Sequence, residues 1–141
     1  MSKPMPAPLF ALVIDDERGV CEFLTLVLAK LGVESEVFPS AKPALESLSR
    51  RRPEVIFLDI ALRNSDAVDV IKGLCERQYD GVVQLISGGR SMLLEAVHRM
   101  GVRHGMRLRE PLQKPIRRDA IAAAIAELSR EAAPRTPSRP M

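Results

Sequence analysis

Leu9-Phe10-Ala11-Leu12-Val13-Ile14-Asp15-Asp16-Glu17 is a run of six apolar residues that stops at three acids. A continuous apolar run of this length reads as a strand buried on both faces. Such a strand needs helices above and below it, and a helix follows at once. Val20, Phe23, Leu24, Val27, Leu28 and Leu31 recur at helical spacing, and Gly32 suits the stop.

The same strand-then-helix unit repeats down the chain. Residues 33–38 alternate polar with apolar, as an edge strand does, and lead to a short helix with Ser40 as N-cap and Ala41, Ala44, Leu45 and Leu48 on one face. Val55-Ile56-Phe57-Leu58 is a second fully apolar strand, ending in Asp59. A polar loop, Arg63-Asn64-Ser65-Asp66, then precedes a helix through Val68, Ile71, Leu74 and Cys75. Residues 82–86 form the fourth strand, closed by Ser87-Gly88-Gly89, and their helix carries Leu93, Leu94, Val97 and Met100. A weaker strand within residues 108–113 ends at Lys114-Pro115, and Asp119 caps a last helix through Ile121, Ala124, Ile125 and Leu128.

Five alternating units predict a parallel, doubly wound α/β sheet. The 141 residues suit one domain over 9–131. The proline-rich residues 1–8 read as a flexible N-terminal segment, and residues 132–141 as a disordered tail or a linker stub.

Lys and Arg outnumber Asp and Glu by 21 to 18, a net charge of +3. The excess sits in the termini, while the body is polarised. Residues 9–80 are acid-rich, and residues 90–118 hold eight bases against two acids. That distribution argues against nucleic acid as partner and for a basic contact face towards an acidic protein. No apolar run is long enough for a membrane span or a signal peptide, so the expected location is cytoplasmic. Cys21 and Cys75 lie in apolar-periodic stretches without metal-ligand spacing and read as small buried residues.

In a doubly wound sheet, ligands bind beyond the carboxyl ends of the strands. Those ends deliver Asp15 and Asp16, Asp59, Ser87 and Lys114. Clustered carboxylates repel unless a cation intervenes, and an all-oxygen set suits Mg²⁺, or Mn²⁺ in its place. A carboxylate beside such an ion can attack a phosphoryl group and become an aspartyl phosphate. The hydroxyl and the ammonium then suit the new phosphoryl oxygens.

Leu12-Val13-Ile14-Asp15-Asp16-Glu17, Ile56-Phe57-Leu58-Asp59-Ile60-Ala61-Leu62, Leu85-Ile86-Ser87-Gly88 and Gln113-Lys114-Pro115 together resemble the receiver domain of two-component response regulators. The resemblance covers residues 8–131. It implies a flavodoxin-like (βα)5 sheet in strand order 2-1-3-4-5. It also implies phosphoryl transfer to Asp59 from a sensor histidine kinase or histidine phosphotransfer protein. Asp16 would bind Mg²⁺ directly, Asp15 mainly through water, and Asp59 and the Ala61 carbonyl would complete the set. Ser87 and Lys114 would hold the phosphoryl group, and the Lys114–Pro115 peptide bond would be cis. Such a domain is not an enzyme beyond its own phosphorylation and dephosphorylation.

The sequence also departs from the family. The usual proline and glycine after the phosphoacceptor are Arg63 and Ala67, and the aromatic residue three before the lysine is Pro111. Positions that can orient a hydrolytic water are Ala61 and Gly89, which lack polar side chains; slow self-dephosphorylation follows. With no output domain after the last helix, the expected protein is a single-domain regulator. It would signal by protein contact or phosphorelay through its helix 4–strand 5–helix 5 face, where a homodimer also fits. Two other readings compete. One is a receiver-like binding module independent of phosphate. The other is an aspartate-nucleophile phosphohydrolase, which the Asp15-Asp16-Glu17 order and the lack of a cap region disfavour.

Overall fold

The computed structural model describes residues 9–62, 67–89 and 92–132. The expectations for residues 1–8, for the loop 63–66, for Arg90 and for residues 133–141 lie outside these. Ten elements alternate along the chain: β1 (Phe10–Ile14), α1 (Arg18–Lys30), β2 (Glu34–Phe38), α2 (Ala41–Ser47), β3 (Val55–Asp59), α3 (Ala67–Glu76), β4 (Val82–Ser87), α4 (Met92–Arg103), β5 (Arg107–Gln113) and α5 (Arg118–Ala132). The strands form one sheet in the order β2-β1-β3-β4-β5, parallel at every pairing. This is the expected (βα)5 flavodoxin-like order.

Every residue of β1, β3 and β4 is buried, as their apolar runs require. Alternate side chains leave a strand on opposite faces, so each strand feeds two cores. Leu12, Ile14, Ile56, Leu58 and Leu85 pack with Ala44, Ile71, Leu74 and Val97 of α2, α3 and α4. Ala11, Val13, Phe57 and Ile86 pack with Leu24, Leu28, Ile121 and Ile125 of α1 and α5. The central strands are thus clamped from both sides, and their carboxyl ends form a rigid edge.

Local details differ from the sequence reading in three places. Ser40 occupies the N-cap of α2 in an extended conformation, but its side chain makes no capping hydrogen bond. Asp119 lies within the first turn of α5, not before it, and meets Arg117 Nε at 3.3 Å. β5 begins at Arg107 and is irregular: Gln84 faces Arg109 but Ile86 faces Leu112, so β5 carries one extra residue. Gln84, a buried amide in an otherwise apolar strand, donates from Nε2 to the Glu110 carbonyl at 2.7 Å. That bond links β4 to β5 at the irregular stretch. Pro111 falls in this stretch of an edge strand, where a missing N–H costs least.

The amino ends of the strands are tied by close approaches. Tyr79 donates its hydroxyl proton to the Pro53 carbonyl at 2.9 Å. A Cβ on Gly81 would stand 2.2 Å from that hydroxyl oxygen and 2.9 Å from the Glu54 carbonyl oxygen. Gly81→Ala is therefore expected to destabilise the fold by about 1–3 kcal/mol, the usual cost of overpacking. Urea denaturation, with its midpoint compared against wild type, measures this.

Candidate functional site

Because all five strands run parallel, their carboxyl ends share one edge. Asp15 follows β1, Asp59 ends β3, Ser87 ends β4, and Lys114 follows β5. Backbone bonds fix each of them. The Asp15 N–H donates to the Phe38 carbonyl at 3.2 Å, and the Lys114 N–H donates to the Ser87 carbonyl at 2.9 Å. The two buried carboxylates are also held at one oxygen: Asp15 Oδ1 accepts the Glu17 N–H at 2.8 Å, and Asp59 Oδ1 accepts the Ala61 N–H at 3.0 Å. Their second oxygens point inward to one cation. Lys114 Nζ lies 3.3 Å from Asp59 Oδ2 and 3.8 Å from Asp15 Oδ2, and it donates a hydrogen bond to Glu17 Oε1.

Oxygens of Asp15, Glu17 and Asp59 lie within 4.8 Å of one another. Glu17 is the member that the residue-by-residue reading left without a role, although it closes the acid string after β1. Asp16 is half-buried and stands outside this group, and Ala61 is exposed in the turn after β3. Ser87 is buried one residue beyond Ile86, the register partner of Asp59. Its hydroxyl donates to the Gly89 carbonyl and accepts the Gly89 N–H at 3.1 Å, so it is committed to its own turn.

The electrostatics follow from burial and like charge. Burial pushes the Asp15 carboxyl up to about 6; the Glu17 N–H bond opposes the rise and the Asp59 charge adds to it. Burial works against the Lys114 ammonium, but the Glu17 hydrogen bond and the Asp15 and Asp59 charges outweigh it and raise its pKa. Asp15 Oδ2 is buried with no hydrogen-bond partner among the described residues. A buried oxygen left over in a hard, all-oxygen donor set fits a divalent cation such as Mg²⁺. Cys21 donates its S–H to the Asp15 carbonyl at 3.2 Å, and burial with the nearby acids pushes its thiol up to about 11. It is a packing residue beside the site.

The flanks modify the charge picture. A groove of about 550 Å³ abuts the acids, lined by Val20, Phe23, Pro115 and Ile116 with Glu17 and Lys114 at its rim. The basic stretch is partly neutralised within the fold. Arg107 pairs with Glu131 at 2.8 Å, and Arg109 pairs with Glu127 and, at 2.6 Å, with Glu131. Arg99, Arg103 and Arg118 are exposed and make no ion pair among the described residues. The bases of β5 are thus occupied by α5, and the open ones lie on α4 and at the start of α5.

A pH dependence follows from Asp15. Its folded pKa, about 6, lies above the ordinary aspartate value of about 3.9. Between those values the native state binds the proton more tightly than the unfolded state, so stability falls as pH rises through that window. In EDTA, the melting temperature is expected to fall from pH 4 to pH 6 by an increment that Asp15→Asn removes. Mg²⁺ affinity, measured by calorimetry, is expected to rise across the same window.

A model of the response regulator receiver domain matches residues 11–126. The positive alginate biosynthesis regulatory protein of Pseudomonas aeruginosa is 29% identical over 122 residues, covering 84% of this chain and 46% of that protein. DNA-binding response regulator MtrA of Mycobacterium tuberculosis is 33% identical over 63 residues, 45% of this chain and 28% of that protein. The chain thus spans less than half the length of these relatives. Among solved structures, the signal receiver domain of a Luxo repressor protein from Vibrio parahaemolyticus superposes with a TM-score of 0.73 at 17% identity, covering 89% of this chain and 92% of that one. The beryllofluoride-activated NtrC4 receiver domain dimer gives 0.73 at 23% identity, covering 88% and 98%. With its five-stranded parallel sheet and its acid edge, the chain belongs to the receiver domains of response regulators.

Proposed function

We propose that Asp59 accepts a phosphoryl group from a sensor histidine kinase or histidine phosphotransfer protein in a Mg²⁺-dependent step. The observation that carries this reading is the setting of Asp59: a buried carboxylate, 3.3 Å from the Lys114 ammonium and beside an Asp15 oxygen that makes no hydrogen bond among the described residues. In the transfer, an Asp59 carboxylate oxygen forms a bond to phosphorus. The phosphorus–nitrogen bond of the donor histidine breaks, and its electron pair stays on the imidazole, which takes up a proton. Asp15, Asp16, Asp59 and the Ala61 carbonyl would hold the cation, with Glu17 within reach. When bound, Mg²⁺ neutralises the phosphoryl oxygens and the acids that surround them. Lys114 is already aimed at the acceptor and supplies the second positive charge. Ser87 reaches the phosphoryl group by giving up its bonds to Gly89.

The signal leaves by protein contact or by onward phosphoryl transfer, through the face built by α4, β5 and α5. Arg99, Arg103 and Arg118 are exposed cations there without an ion pair among the described residues, and a homodimer on this face is a further expectation. Pro111 in place of an aromatic residue favours a second reading, a receiver-fold binding module that works without phosphate. Intact mass after incubation with Mg²⁺ and acetyl phosphate separates the two. One added phosphoryl mass in wild type and none in Asp59→Asn supports phosphoryl acceptance, and no gain in wild type rejects it.

Ala61 and Gly89 offer no polar side chain to a hydrolytic water. Ala61 is exposed, and a Cβ on Gly89 would meet nothing within 4 Å, so both positions accept substitution. The Ala61→Asn, Gly89→Glu double variant is expected to shorten the phosphoryl lifetime by on the order of tenfold, about 1.4 kcal/mol of barrier. Decay of the phosphorylated mass over time checks this.

A further inference from the structure

Glu17 has no task in the chemistry above beyond lying near the cation. It occupies the N-cap of α1 in an extended conformation but makes no side-chain capping bond. Glutamate is also not among the residues that N-caps favour. Its carboxylate turns instead across the site to Lys114, 97 positions away in sequence. The Glu17 side chain is 53% exposed and that of Lys114 is 20% exposed, so the pair stands at the mouth of the site. Together they form the rim of the groove lined by Val20, Phe23, Pro115 and Ile116.

We propose that Glu17 is a positioning residue that competes with the phosphoryl group for Lys114. It holds the ammonium at the groove rim in the resting protein and releases it when Asp59 is phosphorylated. This rests on the reading of Asp59 as phosphoacceptor. The lysine head is a single point charge shared among three carboxylates. A phosphoryl group brings close to two negative charges and three acceptor oxygens to Asp59. It therefore draws Lys114 away from a half-exposed, singly charged partner. Glu17 is then left as an unpaired anion on the groove rim, and the charge seen by a molecule docked there changes by one. Pro111 offers no rotating side chain for this purpose, whereas the Glu17–Lys114 pair has moving parts.

Beryllofluoride is a phosphoryl mimic for the test, read by calorimetry in saturating Mg²⁺. A half-exposed ion pair is worth up to about fivefold in an equilibrium. Glu17→Gln is expected to bind beryllofluoride about two- to fivefold more tightly than wild type. In a Lys114→Met background the gain is expected to vanish. Melting temperatures in EDTA, with no cation present, are expected to be non-additive for the two substitutions.

Weaker binding of both Mg²⁺ and beryllofluoride by Glu17→Gln would make Glu17 a cation ligand and overturn the proposal. So would unchanged beryllofluoride affinity, a gain that survives Lys114→Met, or additive melting shifts. If Lys114→Met fails to fold, Lys114→Gln replaces it as the background in which the gain must vanish. Failure of the underlying reading looks different: wild type itself would then bind no beryllofluoride in Mg²⁺.

Discussion

Like charges brought together out of water repel, and the repulsion grows as burial removes the solvent that screens it. Parallel strands β1 and β3 are neighbours; Asp15 follows the one and Asp59 ends the other, so the topology forces the two aspartates together at a buried edge. Lys114 is the protein's own answer. It comes from the end of β5, an edge strand two places from β3, and its reach depends on a chain of fixed points. Its backbone N–H is anchored to Ser87 at the end of β4, and Gln84 supports the irregular stretch of β5 that leads to it. The two hydrophobic cores make that edge stiff enough to hold the charges in place.

The same constraint explains how the site can act as a switch. A cluster with more negative than positive charge takes up protons or cations readily, and adding a phosphoryl group redistributes the few cations available. Lys114 lies between three acids, so a change at one alters its bond to the others. Ser87 is committed to Gly89 and Glu17 to Lys114. On the proposed phosphorylation of Asp59, the phosphoryl group would compete with both contacts, one after β4 and one on the groove by α1. The basic half of the molecule is divided in turn, with β5 arginines tied to α5 glutamates and α4 arginines left open.

The fold was legible because buried parallel strands are written as unbroken apolar runs, and β1, β3 and β4 are such runs. The strand-end rule then placed Asp15, Asp59, Ser87 and Lys114 at one edge. Less was legible where a contact depends on side chains far apart in sequence. Gln84 interrupts an apolar strand, and only the irregular pairing with β5 explains it. Asp119 before an apolar periodicity looks like a cap, but the helix starts one residue earlier. The basic stretch looked like an open face, because nothing in the order of residues shows that Glu127 and Glu131 project towards Arg107 and Arg109.

Hydrophobic periodicity is a local property, so the sequence by itself determined the five βα units, the parallel sheet and the residue types at its carboxyl edge. Which carboxylates share a cation is a matter of distances between chain segments. The tertiary structure alone decided that Glu17 joins Asp15 and Asp59 around Lys114 while Asp16 stands outside that group. It also decided that Ser87 is bound to its own turn. Electrostatic and hydrogen-bond energies depend on the last ångström of approach, and strand and helix packing sets that distance.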